Sequence, residues 1–125
     1  MARGASDLIA AAKQDVESLS PEQVASEVDA GTALLVDVRD PEERRTAGAI
    51  PHSINAPRGR IEFYADPAAA SHKEGFERDR RIILHCDAGG RSALAAQTLH
   101  RMGYTSVAYL DGGMNRWKAE GRPIE

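Results

Sequence analysis

The chain has 125 residues, a length that fits one folded domain. Hydrophobic residues make up 42% and charged residues 28%, which is enough apolar material to bury a core and excludes collagen-like, low-complexity and wholly disordered proteins. The 16 Lys and Arg residues against 19 Asp and Glu give a net charge of -3, which argues against a non-specific binder of nucleic acids or anionic membranes.

Neither a membrane segment nor an export signal is predicted. No apolar run approaches the roughly 20 residues that a membrane-spanning helix needs, and the first residues contain no convincing cleavage site for a secretory signal. We therefore expect a cytoplasmic protein. The single cysteine, Cys86, cannot form an internal disulfide, so it is either an inert buried residue or a chemical one.

The chain opens with two predicted helices. Residues 7–19 repeat apolar side chains at helical spacing, with Ser6 available as the N-cap, and predict an amphipathic helix that docks on the domain. Residues 20–23 (Ser-Pro-Glu-Gln) combine a capping serine, an N-terminal proline and a glutamine three residues after the cap. They predict a second helix, which Gly31 ends.

Strand and helix signals then alternate. Residues 33–38 form a nearly continuous apolar run, which is typical of a strand covered on both faces in a parallel sheet. Residues 40–43 (Asp-Pro-Glu-Glu) open a helix that Gly48 closes. A short extended piece is expected at residues 53–56, and residues 57–79 predict no definite element.

The second half of the chain continues the alternation. Residues 81–85 predict a second buried strand, residues 92–102 a helix, residues 106–110 a third strand, and residues 115–120 a last helical turn. The alternation of strands and helices predicts an α/β domain with a parallel sheet.

The most informative segment joins the second buried strand to the following helix. Its residues are Cys86, Asp87, Ala88, Gly89, Gly90, Arg91 and Ser92. Open α/β sheets bind their ligands at the carboxyl ends of the strands. Successive amides of such a turn, together with the following helix dipole, can stabilise an anion or a thiolate. We therefore expect Cys86 to be a reactive thiol and residues 87–92 to form its active-site loop.

Five residues of this loop have expected roles. Gly89 and Gly90 permit the positive dihedral angles that a tight cradle requires. Arg91 places a fixed cation beside the sulfur and is expected to capture an anionic donor, the alternative being a pair with a neighbouring carboxylate. Asp87 adds a negative charge that opposes this cation unless its side chain points outward. Ser92 is expected to cap the helix or to hydrogen-bond the sulfur, with the cap favoured.

Polar residues outside this loop are expected to bind substrate or to support the structure. Arg58 and Arg60 could bind substrate at the same mouth, although surface solvation is the alternative for each alone. Asp37 and Arg39 are expected to form an internal salt bridge.

No metal site is predicted, because a single thiol and unpaired histidines lack metal-ligand spacing. Isolated aromatic residues, among them Trp117 and Tyr109, are expected in the core or at its rim and give no base-stacking platform, so no nucleic-acid partner is predicted.

Three stretches of the chain resemble the rhodanese family of sulfurtransferases, in the family's order. Residues 86–92 match the pattern Cys-x-x-Gly-x-Arg-Ser of many single-domain members. Residues 35–57 carry a second stretch, LVDVRDPEE continuing to GAIPHSINAP, and residues 109–124 carry a third, YLDGGMNRW running on to GRPI. The resemblance predicts a rhodanese-like domain at residues 19–125 after an N-terminal helical extension at residues 1–18.

The resemblance implies a three-layer α/β sandwich, in which helices flank a central parallel sheet on both faces. It also implies a ping-pong reaction in which the Cys86 thiolate takes the outer sulfur of a donor such as thiosulfate. The resulting persulfide would pass its sulfur to cyanide, a small thiol or a protein thiol, with no metal or organic cofactor. One departure is expected to affect structure only: residues 48–53 read Gly-Ala-Ile-Pro-His-Ser where many members have Gly-His-Ile-Pro-Gly-Ala.

Two other functions stay open. His85, Cys86 and Arg91 resemble the His-Cys-(x)5-Arg signature of cysteine phosphatases and arsenate reductases, but only four residues separate Cys86 from Arg91. A loop one residue shorter should fit a sulfur-sized group better than a phosphate, and His85 is then expected to be a satisfied strand residue. The other alternative is a non-catalytic sulfur-carrier or protein-binding module.

Overall fold

In the computed structural model, which describes residues 2–125, eleven helices and strands alternate along the chain. The helices are α1 (Ala5–Asp15), α2 (Pro21–Asp29), α3 (Pro41–Ala47), α4 (Ile61–Ala65), α5 (Gly90–Arg101) and α6 (Gly113–Ala119). The strands are β1 (Glu17–Leu19), β2 (Leu34–Asp37), β3 (Ile54–Asn55), β4 (Ile82–His85) and β5 (Val107–Leu110). None of the helices described has the length and apolar content needed to span a bilayer.

The five strands form one parallel sheet in the order β1-β5-β4-β2-β3. Because side chains alternate along a strand, Ile82 and Leu84 of β4 pack on the face covered by α1, α4 and α5, and Ile83 packs on the face covered by α2 and α6. Both faces of β4 are therefore buried, which explains its continuous apolar sequence. The predicted three-layer α/β architecture is confirmed.

The capping signals of the first half identified two helices correctly. Ser20 Oγ accepts a hydrogen bond from the Gln23 amide at 3.2 Å, and the Gln23 side chain accepts one from the Ser20 amide at 2.9 Å. At α3 the Asp40 amide donates to the Glu43 carboxylate at 3.1 Å. These reciprocal bonds satisfy amides that the first turn of a helix leaves unpaired.

The first predicted helix is too long. Helix α1 ends at Asp15, its N-cap is Gly4, and Ser6 lies inside it. Residues 17–19 instead form the edge strand β1, which pairs with β5 in parallel register from Glu17↔Ala108 to Leu19↔Leu110. A strand of three residues is too short to show its own periodicity, so its pairing partner decides its conformation.

Two predicted helices begin too late. Helix α5 begins at Gly90 with Gly89 as its N-cap, so Ser92 lies in the first turn and is not the cap that we predicted. Helix α6 likewise begins at Gly113 instead of residue 115. Glycine is a poor helix former, and its presence at both starts concealed them in the sequence. Helix α4 falls in the segment that predicted no definite element.

His52 is the only non-glycine residue between residues 2 and 125 with a positive φ, at +72°. In the family pattern that residues 48–53 resemble, many members have glycine at this position. Because a side chain in the left-handed region carries a steric cost that glycine avoids, we expect His52→Gly to raise the free energy of unfolding by about 0.5 kcal/mol. Urea denaturation measures the change.

The matched control is His100→Gly, since His100 is an exposed histidine in α5. Glycine weakens a helix by about 0.5–1 kcal/mol relative to a residue with a side chain, so this control should lose stability. A loss of stability in both variants would contradict the interpretation of His52 as strained.

Candidate active site

Cys86 follows β4, a central strand that pairs with β2 on one side and β5 on the other. The parallel strands end at the same edge of the sheet, and the loop of residues 86–92 leaves from that edge into α5. The Cys86 side chain is 1% exposed. The thiol therefore lies at the carboxyl end of the sheet, the position that the sequence predicted for it.

Two backbone amides donate hydrogen bonds to the sulfur. The Gly89 amide donates to Cys86 Sγ at 3.1 Å and the Ser92 amide donates to it at 3.4 Å. The thiol in turn lies 3.5 Å from the Ser92 hydroxyl, which donates to the Gly89 carbonyl at 3.2 Å. These amides belong to the unpaired first turn of α5, so the positive end of the helix dipole faces the sulfur. Of the two expected roles of Ser92, the contact with the sulfur is therefore present and the cap is not.

Helix α6 holds the outer side of the same loop. The Met114 amide donates to the Cys86 carbonyl at 2.8 Å, and the Asn115 amide donates to the Asp87 carbonyl at 3.0 Å. Gly113 has φ +55°, and a Cβ on it would lie 2.5 Å from the Asp87 carbonyl oxygen. Glycine is thus required for α6 to approach this closely. With its carbonyls bound to α6, the loop can turn its amides toward the sulfur, a role of residues 113–115 that the sequence analysis missed.

Arg91 forms a two-pronged ion pair with Glu43 of α3. The distances are 2.6 Å from Nη1 to Oε1 and 3.0 Å from Nη2 to Oε2, and a third contact joins Nη2 to the Asp87 carboxylate at 3.5 Å. Hydrogen bonding to Arg91 lowers the pKa of Glu43 to about 2. Hydrogen bonding to Glu43 raises the pKa of Arg91, and charge on the nearby Cys86 and Asp87 contributes further. The positive charge of Arg91 is therefore already shared with two carboxylates.

A buried ion pair between Asp37 and Arg39 lies next to the active-site loop. Asp37 and Arg39 are both 0% exposed, and the carboxylate accepts from Arg39 Nη2 at 2.9 Å and from Nε at 3.0 Å. Burial would raise the pKa of Asp37, but the hydrogen bonds from Arg39 outweigh it and lower that pKa. The predicted internal salt bridge is confirmed, and Arg44 joins it at 3.3 Å from Asp37 Oδ2, which the sequence analysis missed.

Asp87 connects the buried ion pair to the loop. Its carboxylate lies 3.4 Å from Arg39 Nη1 and 3.5 Å from Arg91 Nη2, and its side chain is 40% exposed. The side chain thus stands between two guanidinium groups and does not point away from the loop into open solvent.

His85 is not the satisfied strand residue that the sequence predicted. It is fully buried, its Nε2 atom has no hydrogen-bond partner, and that atom lies 3.9 Å from the Asp37 carboxylate. Burial lowers the pKa of His85, with the Asp37 charge opposing the shift. His85 is therefore neutral near pH 7, and it lies beside the buried ion pair.

Arg58 and Arg60 bond elsewhere or face solvent. Arg58 donates to Glu62 at 3.1 Å and to Thr98 at 3.2 Å, linking α4 to α5. Arg60 is exposed at the start of α4. Among residues 2–125, neither side chain hydrogen-bonds to the loop of residues 86–92, so their predicted role at the mouth stays a prediction.

The N-terminal helix packs against the start of α5. A Cβ on Gly90 would lie 2.8 Å from Ile9 Cδ1, so a side chain at this position would have to displace the end of the Ile9 side chain. Lys13, one turn further along α1, places its ammonium 5.9 Å from the centre of the Tyr109 ring. The expected docking of α1 is confirmed, and it brings a lysine near the loop, which the sequence analysis did not foresee.

Comparison with protein families gives one match over most of the chain. The model of the rhodanese-like domain matches residues 20–120. A sulfurtransferase from Allochromatium vinosum is 36% identical over 110 residues, which cover 88% of this chain and 91% of the relative.

Two solved structures illustrate the range of similar proteins. A protein of unknown function from Rhodopseudomonas palustris, described as a possible tyrosine phosphatase, is 35% identical with a TM-score of 0.93 and covers 100% of this chain and 96% of its own. The polysulfide-sulfur transferase homodimer from Wolinella succinogenes is 29% identical with a TM-score of 0.77, covering 94% of this chain and 83% of its own.

Proposed function

This chain belongs to the rhodanese-like domain family, and from that premise we propose that it is a sulfurtransferase that carries sulfur on Cys86. The proposed donor is a sulfane-sulfur compound such as thiosulfate, and the proposed acceptor is cyanide, a small thiol or a protein thiol. A cytoplasmic location stays a prediction from the sequence.

The observation that carries the proposal is the pair of backbone amides that donate to Cys86 Sγ. Two backbone amides of the α5 start, those of Gly89 and Ser92, point at a sulfur that packing fixes in place. Donors that are fixed before the reaction stabilise charge without reorganisation. The arrangement suits an atom that is negative both as a thiolate and as a persulfide.

In the first proposed step, the Cys86 thiolate attacks the outer sulfur of thiosulfate. A new S–S bond forms on Cys86, the S–S bond of the donor breaks, and the bonding electrons leave with sulfite. The Cys86 persulfide then carries the negative charge. In the second step the acceptor attacks the outer persulfide sulfur and restores the thiolate.

The phosphatase alternative is weaker for this loop, even though one similar protein has been described as a possible tyrosine phosphatase. Four residues separate Cys86 from Arg91, one fewer than in the phosphatase signature. The Arg91 guanidinium, which a phosphatase would direct at the phosphate, is bound by Glu43 on both Nη atoms. These two features support sulfur transfer over phosphoryl transfer.

Steady-state kinetics tests the proposal. With thiosulfate and cyanide varied together, the protein should form thiocyanate with the parallel reciprocal plots of a ping-pong reaction. Hydrolysis of an aryl phosphate, measured at the same protein concentration, should stay at the uncatalysed rate. Phosphate release without any thiocyanate would overturn the proposal and favour the phosphatase alternative.

A further inference from the structure

Every guanidinium group next to the active-site loop is matched by a carboxylate. The six charged groups, which we call the loop ion network, are Arg39, Arg44, Arg91, Asp37, Glu43 and Asp87. Three positive and three negative charges balance, and the buried His85 adds none near neutral pH. The network itself therefore supplies no surplus positive charge to attract a dianion. Lys13 of α1 is a separate cation near the loop, because its Nζ lies 3.9 Å from the position that a Cβ on Gly89 would take.

Asp87 is the member of the network that controls this balance at the mouth. It directly follows Cys86, and its carboxylate is the network's link between Arg39 and Arg91. Unlike Asp37, which is fully buried, Asp87 is 40% exposed, so its charge reaches the solvent side of the loop. Loss of this one charge would leave the network with a net positive charge beside the sulfur.

We propose that Asp87 is a specificity-determining residue, which makes the site favour sulfur donors with a single negative charge over the thiosulfate dianion. The proposal rests on the proposed sulfurtransferase function. The favoured class comprises thiosulfonates and alkyl persulfides, in which the transferable sulfur carries the only charge of the reacting group. Arg91 then positions Asp87 and Glu43 at the mouth instead of capturing a dianion alone.

Two donors isolate the effect of charge. Methanethiosulfonate differs from thiosulfate by a methyl group in place of one charged oxygen. The Cys86 thiolate takes the outer sulfur of either donor and forms the same persulfide, while the S–S bond electrons leave with methanesulfinate or with sulfite. The ratio of the two kcat/KM values, thiosulfate over methanethiosulfonate, cancels any change in the reactivity of the thiolate itself.

Asp87→Asn removes the charge and keeps the size of the side chain. One further unit of donor charge within several Å of a surface carboxylate should raise the ratio about threefold to tenfold. The increase should shrink in about 0.5 M NaCl, where the screening length falls to a few Å. A change that only distorted the loop would show no such salt dependence.

Asp29→Asn is the matched control, because Asp29 is an exposed residue at the end of α2, at the edge of the sheet opposite Cys86. It makes the same change in net charge and should leave the ratio unaltered. Asp87→Ser is a second variant that removes the charge with a smaller side chain, and it should raise the ratio as well.

The outcomes separate the two proposals. If the wild type transfers sulfur from both donors but neither Asp87 variant raises the ratio, the specificity proposal is wrong and the sulfurtransferase proposal stands. If the wild type forms no persulfide with either donor, the sulfurtransferase proposal fails and the specificity proposal fails with it. An equal rise in Asp29→Asn would attribute the effect to net charge and overturn the role of Asp87.

Discussion

A Cys86→Ser variant will form thiocyanate from thiosulfate and cyanide at least about a thousandfold more slowly than the wild type. Serine places a hydroxyl where the thiolate was, and at neutral pH a hydroxyl without a neighbouring base is a poor nucleophile. His85 does not supply that base, because its Nδ1 atom contacts the Cys86 carbonyl oxygen at 3.4 Å and its Nε2 atom has no hydrogen-bond partner.

The substitution should leave the fold intact. The serine hydroxyl can accept from the Gly89 and Ser92 amides that contact the sulfur in the wild type. Thermal unfolding and circular dichroism of the variant should therefore resemble those of the wild type. Retention of a tenth or more of the activity in the folded variant would place the sulfur-carrying group elsewhere.

An Arg39→Met variant should lose about 3–5 kcal/mol of unfolding free energy, the largest effect on stability that we predict. The Arg39 side chain is 0% exposed and binds Asp37, the Gly48 carbonyl and Asp87. Methionine fills similar volume but leaves the Asp37 carboxylate buried with only Arg44 as a cationic partner. Urea denaturation of the purified protein measures the loss.

Two further variants serve as controls for the Arg39→Met prediction. Arg45→Met changes the same residue type in α3, where the side chain is 70% exposed, and should alter stability by no more than about 0.5 kcal/mol. The double variant Asp37→Asn, Arg39→Met also removes the buried carboxylate charge that the single variant leaves without Arg39. It should therefore recover part of the lost stability. A loss in Arg39→Met as small as that in Arg45→Met would contradict the central place of this ion pair.

The elements that could be predicted from sequence are those whose signal is local. Strands β2 and β4 are buried on both faces and appear as apolar runs, and α2 carries a complete capping box at Ser20 and Gln23. The position of Cys86 could be predicted for the same reason. Cys86 directly follows the apolar run of β4, so it had to lie at the carboxyl end of that strand.

What the sequence could not give depends on contacts between distant segments. Strand β1 forms only because β5 supplies its partners, and α5 begins at Gly90 where α1 packs against it. The orientation of Asp87 follows from Arg39, which lies 48 residues earlier in the chain. The sequence also predicted that Arg91 captures an anionic donor. Its actual partner, Glu43, could not be assigned from the sequence, because only the fold brings the two residues together.

The most direct test of sulfur transfer through Cys86 is the intact mass of the reduced protein after incubation with thiosulfate, in the absence of any acceptor. Sulfur transfer through Cys86 predicts a gain of one sulfur atom in the wild type, loss of that atom after addition of cyanide, and no gain in Cys86→Ser. An unchanged mass with both thiosulfate and methanethiosulfonate, in a protein whose thiol still reacts with an alkylating agent, would contradict it.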